Sequence, residues 1–398
     1  MRRAGRFAAV AAAAALAFCC APVQNFYATG TAAVVSSSEF SSFSSVSEAG
    51  AYFRECMTKR QEVIKIELPI DKNETFEKVV DQLFAEAIKE TGKGCEGDYL
   101  RLSVRSYNVS GQSSSTKRRF TFNMLYHSTA EQEAFVDTKV KDILKSLDLG
   151  SKSDYQKIDA VYDFVVNCAS YAEDLSEPSI FSAYGALANN AVVCQGYSQL
   201  LYRLLSDAGI SCRTVLGEGR DGSSQGVDHV WNIAELEGAY YLLDPTWDSN
   251  LGGTRNYFLR GSGDFDTIKP YSHITSTGES DNPVFSPDYT SAEFKAAYPV
   301  SEKAYVPNGD ERLGTILGDL NGDGKYSAVD ASIVLVNCAN HADGEAYSEK
   351  FISIADTNGD SRITAVDASY ILKYCAALND GTKLSLEEYV SKEIRRAS

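Results

Sequence analysis

The sequence has few basic residues and no long apolar segment. Its 398 residues carry 38 Lys and Arg against 54 Asp and Glu, which gives a net charge of −16. This acidic balance argues against nucleic-acid binding, which relies on basic patches, and suits a soluble secreted protein. The Ala-rich apolar run at residues 7–18 is too short to span a bilayer as an ordinary helix, and no later run is longer, so no transmembrane segment is expected.

The N-terminus predicts export. Basic residues 1–6 precede the apolar run, which is the arrangement of a secretory signal peptide, and we place this signal at residues 1–32. Residues 33–50 are rich in serine and are predicted to form a flexible linker. Once Cys19 and Cys20 are removed with the signal, seven of the nine cysteines remain. An odd number of cysteines in a secreted protein predicts a reactive thiol outside any disulfide.

Histidine and tryptophan are scarce, with four and two residues in the chain. One His and both Trp nonetheless fall in three short segments: Val-Val-Cys194-Gln-Gly-Tyr, Asp-His229-Val-Trp-Asn and Leu-Leu-Asp244-Pro-Thr-Trp. A thiol, an imidazole and a carboxylate are the parts of an activated cysteine nucleophile. We therefore predict a catalytic triad of Cys194, His229 and Asp244.

Cys194 is predicted to begin an amphipathic helix that ends at Gly209. Apolar residues follow it at helical spacing: Tyr197, Leu200, Leu201, Leu204, Leu205 and Ala208. The backbone amides and the positive dipole at a helix N-terminus favour a thiolate over a thiol. The same amides are candidates for part of an oxyanion hole.

His229 and Asp244 are predicted to lie close together on a β-hairpin. Residues 230–236 and 239–243 are strand-like, and Glu237-Gly238 forms a two-residue turn between them. That loop length places the imidazole and the carboxylate on one face as diagonal cross-strand neighbours, whereas a change of one residue would place them on opposite faces. The carboxylate would orient the imidazole, which would hold the thiolate in an ion pair.

Residues 154–299 resemble the transglutaminase-like cysteine-enzyme superfamily. The shared pattern is a Cys at a helix start, a His before Trp-Asn and an Asp before Pro-Thr-Trp. The resemblance implies that Cys194 is the nucleophile, His229 the base and Asp244 the residue that orients it. It also implies an α+β fold with a papain-like, transglutaminase-like core, which we place at residues 151–300. Four more residues are candidates for contacts with the substrate or its oxyanion: Tyr184, Gln195, Trp231 and Trp247. The alternative for the two tryptophans is a place in the core.

A duplicated motif lies near the C-terminus. Asp319-Leu-Asn-Gly-Asp-Gly-Lys-Tyr-Ser-Ala-Val-Asp330 recurs 37 residues later as Asp356-Thr-Asn-Gly-Asp-Ser-Arg-Ile-Thr-Ala-Val-Asp367, and an apolar run of helical period follows each copy. Carboxylate or amide oxygens at loop positions 1, 3, 5 and 12 are hard ligands, and this spacing arranges them around one calcium ion. We predict two calcium ions with these ligands: Asp319, Asn321, Asp323, Asp330, Asp356, Asn358, Asp360 and Asp367, and the backbone carbonyls of Lys325 and Arg362.

The duplicated unit resembles a type I dockerin, the calcium-dependent module that attaches enzymes to cohesin domains of a scaffoldin in cellulosomes of plant-degrading bacteria. The resemblance implies a small all-α domain at residues 313–385, between a linker at 301–312 and a tail at 386–398. It places cohesin contacts at the repeated pairs Ala328-Val329 and Ala365-Val366. Ser361 departs from the family pattern, because glycine usually makes the sharp turn at that position. Calcium is also expected to hold so small a domain together.

Residues 51–150 contain no motif that indicates chemistry. Their patterns predict an α+β leader, which is either a domain of its own or the front layer of the catalytic domain. Strands are expected near residues 63–68, 100–107 and 118–126, and helices near 75–90 and 131–147. A disulfide between Cys56 and Cys95 is conceivable.

The sequence thus predicts a secreted cysteine enzyme attached to the cellulosome at the bacterial cell surface. The thiolate would attack an amide carbonyl of a protein or peptide and pass the acyl group to water, as in a peptidase or deamidase, or to an amine, as in a transglutaminase. We favour water, because cleavage of cell-wall protein would support polysaccharide breakdown and no amine-selecting site is evident.

The alternative is a catalytically silent transglutaminase-like module that binds protein or carbohydrate and is delivered by the dockerin. Direct hydrolysis of polysaccharide is disfavoured, because the sequence shows no pair of carboxylates with glycosidase character.

Overall fold

The computed structural model describes residues 25–28 and 39–397, except for residues 72, 221, 223–225, 268, 279–283, 306–315, 321–324 and 341–346. Most of the predicted signal peptide and of the predicted 301–312 linker therefore lies outside the described residues. The chain divides into two units, Met1–Tyr305 and Val306–Ser398.

The first unit is α+β, as predicted. Its N-terminal part, the leader together with the segments before it, contains β1 (Asn25–Ala28), β2 (Ser41–Ser42), α1 (Val46–Thr58), β3 (Val63–Pro69), α2 (Phe76–Ala87), α3 (Asp98–Ser103), β4 (Val104–Ser113), β5 (Lys117–Tyr126) and α4 (Ala130–Ser146). Strand β1 lies within the residues predicted as the signal peptide. The five strands form one sheet in the order β1-β4-β5-β3-β2. Aromatic residues of α1, α2 and β5 form its core: Phe53, Phe84, Phe120 and Phe122.

The rest of this unit surrounds a central helix. It contains α5 (Asp154–Cys168), β6 (Ser170–Tyr171), β7 (Ala191–Val192), α6 (Cys194–Asp207), β8 (Cys212–Arg220), β9 (Val227–Leu236), β10 (Ala239–Leu243), α7 (Pro245–Asn250), β11 (Ser272–Thr275) and α8 (Ala292–Ala297). Strands β6 and β7 pair in parallel, and an antiparallel sheet has the order β10-β9-β8-β11. Helix α6 is buried from Cys194 to Leu205 because it packs between this sheet and α5.

Three predictions for the linker and the leader differ from the structure. Residues 46–50 belong to α1 and not to a flexible linker, because the Ser45 side chain caps the helix by accepting the Glu48 amide proton. The spacing of Ser45 and Glu48 is the capping-box signature, a signal that the serine-rich composition obscured. The alternating pattern of residues 100–107 predicts a strand, but residues 100–103 are helical and the strand begins at Val104. No disulfide joins Cys56 to Cys95.

A buried ion cluster attaches the leader to the central sheet. Asp98, at the start of α3, accepts hydrogen bonds from Arg101 Nε at 3.0 Å, Arg213 Nε at 2.8 Å and the Thr214 amide at 2.8 Å. Burial alone would raise the pKa of Asp98, but the two guanidinium groups lower it well below its usual value. The leader is therefore the front layer of the same unit.

The second unit consists of α9 (Ala328–Asn340), α10 (Glu349–Ala355), α11 (Ala365–Asn379) and α12 (Leu386–Ala397). Apolar residues of the first three helices form its core, together with Leu320. The predicted tail is wrong for residues 386–397, because Leu386 and Val390 of α12 are buried against Tyr374. Within the part of the chain that the structure describes, every helix is too short or too polar to span a bilayer.

The ion cluster around Asp98 generates a stability prediction. Asp98→Ala should lower the free energy of unfolding by about 3–5 kcal/mol, because it leaves two guanidinium groups buried without their carboxylate. Urea unfolding of the calcium-loaded chain, followed by circular dichroism, measures this loss. Asp137→Ala is the matched control, since Asp137 also pairs with an arginine but is half exposed, and it should cost at most about 1 kcal/mol. Equal losses would contradict the prediction.

Candidate functional site

Cys194 is the first residue of α6, as predicted. Val193 is the N-cap, and no side chain caps this end of the helix. The thiol is fully buried in a small apolar cluster that includes Ile180 and Val230, the residue after His229. Gly196 makes this close packing feasible, because a Cβ there would lie 2.9 Å from the Ile180 carbonyl oxygen.

The hairpin has the predicted register. Leu236 pairs with Ala239, and the turn residues Glu237 and Gly238 have φ values of 54° and 83°, as a type I′ turn requires. His229 Nε2 lies 2.8 Å from Asp244 Oδ2. The imidazole and the carboxylate therefore form a hydrogen bond, which leaves Nδ1 as the ring nitrogen that can exchange a proton with another group.

Asp244 is a buried carboxylate held on both oxygens. It is the N-cap of α7, where Oδ1 accepts the amide protons of Thr246 at 2.9 Å and Trp247 at 3.2 Å. Burial would raise the pKa of Asp244, but His229 and the other donors outweigh it and hold the pKa well below its usual value. The carboxylate is therefore ionised and fixed in position.

A second imidazole reaches the same carboxylate, and sequence reasoning missed it. His273 on β11 places Nε2 at 3.2 Å from Asp244 Oδ2 and Nδ1 at 2.7 Å from Asp266 Oδ1. Burial lowers the pKa of His273, yet hydrogen bonds to the two carboxylates outweigh burial and raise it. Scarcity was the one signal available, since His273 is one of only four histidines and lies in no motif.

Tryptophan rings enclose the two imidazoles. Trp247 stacks on His229 with ring centroids 4.9 Å apart and lies 4.0 Å from His273. Gly219 makes room for this stack, because a Cβ there would lie 3.0 Å from Trp247 and 3.2 Å from His229. Trp231 is only 1% exposed and packs behind the imidazoles, so its predicted contact with substrate is replaced by a role in the core.

The predicted oxyanion role of the Gln195 side chain is also corrected. Its amide group donates to the carbonyl oxygens of Leu102 at 2.8 Å and Phe181 at 3.0 Å. Both side-chain protons are therefore used to join the start of α6 to the leader. Tyr184, the other candidate, packs edge-on against Phe135 at 5.5 Å.

Asp248, one turn beyond Asp244, fixes the other end of α7. It accepts hydrogen bonds from the Tyr162 hydroxyl at 2.6 Å and from Thr254 Oγ1 and the Asn256 amide, both at 2.8 Å. Burial raises the pKa of Asp248 to about 6. The residue therefore anchors the segment that carries Asp244.

The second predicted calcium loop wraps its backbone around carboxylates. Asp356 Oδ1 accepts the Gly359 amide proton at 2.9 Å, Asp356 Oδ2 accepts that of Ser361 at 2.8 Å, and Asp360 Oδ1 accepts that of Arg362 at 2.8 Å. The carboxylates at loop positions 1 and 5 therefore lie within the same turn of the backbone. This donor set fits a hard cation such as calcium, which takes oxygen ligands.

The two loops repeat the same internal bonds. Asp367 is buried and accepts the amide protons of Thr357 at 3.0 Å and Thr364 at 2.9 Å, while Asp330 accepts those of Leu320 at 2.9 Å and Ser327 at 2.8 Å. Asn321 and Asp323 of the first loop lie outside the described residues. The last carboxylate of each loop therefore ties the loop to the helix that follows it.

Each repeat also exposes the same apolar positions. Val329 is 55% exposed and Val366 50%, and Leu335 and Leu372, one repeat apart, are exposed as well. Ala328 and Ala365 are exposed beside the two valines. The predicted cohesin contacts thus lie on accessible surface in both repeats.

Comparison with known proteins matches two parts of the chain. Residues 141–245 match the model of the transglutaminase-like superfamily, and residues 317–376 match that of the dockerin type I domain. The chain is 27% identical to the kyphoscoliosis peptidase of Homo sapiens over 140 residues, which cover 33% of this chain and 21% of that protein. The Mus musculus kyphoscoliosis peptidase is 27% identical over 129 residues, which cover 30% of this chain and 20% of that protein.

The chain thus spans about a fifth of the length of these curated relatives. A solved structure described as that of a TGase is 12% identical, covers 51% of this chain and 58% of that chain, and has a TM-score of 0.24.

The Ser361 backbone generates a second prediction. Ser361 has a φ of 61°, a left-handed conformation that costs a residue with a Cβ about 1 kcal/mol relative to glycine. Ser361→Gly should therefore stabilise the second unit by about 1 kcal/mol and tighten calcium binding, as measured by calorimetric titration and urea unfolding. Ser353→Gly is the control, because Ser353 is exposed in α10 and the change should cost about 0.5–1 kcal/mol there. Weaker calcium binding by Ser361→Gly would refute the assignment.

Proposed function

From the transglutaminase-like domain and the type I dockerin domain that this chain contains, we propose a secreted cysteine enzyme that acts on protein amide bonds while docked on a scaffoldin. The observation that carries the proposal is the buried bond of 2.8 Å between His229 Nε2 and Asp244 Oδ2. Val230, the residue after His229, lies in the same apolar cluster as Cys194. The strand that carries His229 therefore packs against the start of α6. The proposed triad is Cys194, His229 and Asp244.

Protonation in the proposed reaction follows from the hydrogen bonds of Asp244. An ionised Asp244 accepts the Nε2 proton of His229, so the Nδ1 lone pair takes the proton of the Cys194 thiol. The resulting imidazolium is stabilised by Asp244 and stacked under Trp247. Asp244 itself keeps its charge, because it is held by amide protons on its other oxygen.

The proposed chemistry is acyl transfer through a thioester. The Cys194 thiolate attacks the amide carbonyl, and the N-terminal backbone amides of α6 stabilise the negative oxygen that forms. His229 returns its proton to the leaving nitrogen, which departs as an amine from a peptide bond or as ammonia from a Gln side chain. Water then attacks the thioester, gives up a proton to His229 and releases the acid. We favour water over an amine as the acceptor, because a plant-degrading complex would benefit from breakdown of cell-wall protein.

The proposed location follows from the dockerin. Type I dockerin domains generally bind calcium, and their partner is a cohesin domain. We propose that residues 1–32 direct export and that residues 151–300 form the catalytic domain, with the leader as its front layer. The second unit, including α12, would bind cohesin on a cellulosome at the cell surface. Calcium would be held by both loops and would stabilise the unit that binds cohesin.

A second candidate is a catalytically silent binding module. Cys194 is fully buried among apolar side chains, and such surroundings favour a thiol over a thiolate. If the thiol is inert, the first unit would bind protein or carbohydrate and the dockerin would deliver it.

Mass spectrometry of reaction products tests the enzyme proposal. Wild type, Cys194→Ala and Cys168→Ala are incubated with plant-wall protein, calcium, a tagged primary amine and oxygen-18 water. Heavy oxygen at new C-termini indicates a peptidase, heavy oxygen on converted Gln a deamidase, and the tag on Gln a transglutaminase. Cys168 is the control, because burial raises the pKa of its thiol to about 12 and its removal should change nothing. If wild type and Cys194→Ala give the same products, the silent module is favoured instead.

Cohesin binding tests the role of the repeated apolar surface. Val329→Asp or Val366→Asp alone should weaken binding of a type I cohesin by about two- to threefold, because the other repeat still binds, whereas the double variant should abolish it. Calorimetric titration with and without calcium measures both effects, and Ser391→Asp on α12 serves as a surface control. Full binding by the double variant would exclude these contacts.

A further inference from the structure

Asp244 Oδ2 is shared by two imidazoles. His229 Nε2 lies 2.8 Å from this oxygen and His273 Nε2 lies 3.2 Å from it. A single imidazole is enough to complete the proposed triad, so the second requires its own explanation. His273 is not a core residue placed there by chance, because both of its ring nitrogens meet a carboxylate.

The bonds of His273 indicate a doubly protonated ring. Nδ1 lies 2.7 Å from Asp266 Oδ1, and the His273 backbone amide donates to Asp266 Oδ2 at 3.1 Å. A carboxylate at each end of the ring can only accept, so both ring nitrogens are best satisfied as donors. The raised pKa of His273 agrees with this state, and its side chain is only 3% exposed.

Among the described residues, the groups that hydrogen-bond to this ring or share its carboxylates are two carboxylates and one other imidazole. Strand β9 contributes His229, the loop before β11 contributes Asp266, and the start of α7 contributes Asp244. Tyr257 lies 5.7 Å away, and its pKa is raised because burial and the nearby carboxylates favour the neutral phenol. Strand β8 places Gly219 opposite His273, flanked by the exposed pair of Glu218 and Arg220.

Charge balance shows what the second imidazole does for the reaction. When His229 and Cys194 form an imidazolium and a thiolate, the cluster of His229, Cys194, Asp244 and Asp266 contains one positive and three negative charges. A charged His273 reduces this excess by one in a buried, weakly screened site. Without this charge, the Cys194 thiolate would be less stable relative to the neutral thiol.

We propose that His273, held as an imidazolium between Asp266 and Asp244, is a positioning residue that fixes Asp244 and sets the pH range of the thiolate–imidazolium pair. The inference rests on the proposed function. His273 contacts neither the substrate nor the thiol in this role, and it acts through Asp244. The four groups form one line of hydrogen bonds: Asp266, His273, Asp244 and His229.

The pH dependence of Cys194 alkylation tests the proposal. Wild type, His273→Asn, Asp266→Asn and Asp266→Glu, each as the calcium-loaded full chain, react with iodoacetamide between pH 4 and 9, and peptide mass spectrometry follows Cys194. Removal of the cation in His273→Asn should shift the acid limb of the alkylation profile upward by about half a pH unit or more, because the thiolate loses a stabilising charge. Asp266→Asn should shift the limb less than His273→Asn does, because it removes a negative charge together with the support for the His273 cation, and Asp266→Glu should leave the wild-type profile unchanged.

His127→Asn is the matched control, because His127 is a buried histidine whose pKa is lowered to about 4 by burial and the nearby Arg105. It should leave the limb unchanged. Coincident limbs for wild type and His273→Asn, in variants that unfold at similar temperatures, would overturn the positioning role. If wild-type Cys194 alkylates as slowly below pH 7 as Cys168 does, the proposed function is wrong. This outcome is distinguishable from coincident limbs, which contradict only the positioning role of His273.

Nitrogen-15 NMR of the wild-type histidines covers the case in which a variant does not fold. His273 should carry a proton on both ring nitrogens at pH 7. A His273 ring with a single proton at that pH would overturn the proposal.

Discussion

The arrangement of the candidate site depends on one buried carboxylate, that of Asp244. Its four hydrogen bonds come from two backbone amides at the start of α7 and from two imidazoles on different strands. A buried carboxylate is costly unless such donors surround it, so the same bonds that keep it charged also fix its position. The hairpin, α7 and β11 are thereby joined at one point, and Asp248 secures the far end of α7.

Buried carboxylates serve the same purpose elsewhere in the chain. Asp98 ties the leader to the central sheet through two arginines, and Asp330 and Asp367 tie each predicted calcium loop to its helix. In the second unit these bonds supplement the apolar core around Leu320. Under the proposed function, calcium bound in the loops would add to the stability of that unit.

Several features of the site followed from the sequence because they are local. A two-residue turn sets the register of a hairpin, so the positions of His229 and Asp244 could be derived from Glu237 and Gly238 alone. Helical spacing placed Cys194 at the start of α6, and repetition indicated both predicted calcium loops. The Ser361 departure also had a local consequence, since a residue with a Cβ adopts the left-handed turn that glycine usually makes.

The sequence by itself therefore determined the start of α6, the hairpin register and the two repeated loops, because each is written in a short contiguous segment. Helices at residues 46–50, 100–103 and 386–397 were not anticipated. Tertiary structure alone decided which distant groups share Asp244. His273 lies 29 residues beyond it and reaches it only because β11 pairs with β8. Tertiary packing likewise decided that the Gln195 side-chain amide donates to two carbonyl oxygens of other segments and that Trp231 is buried. Such contacts join residues far apart in the chain, and no local pattern encodes them.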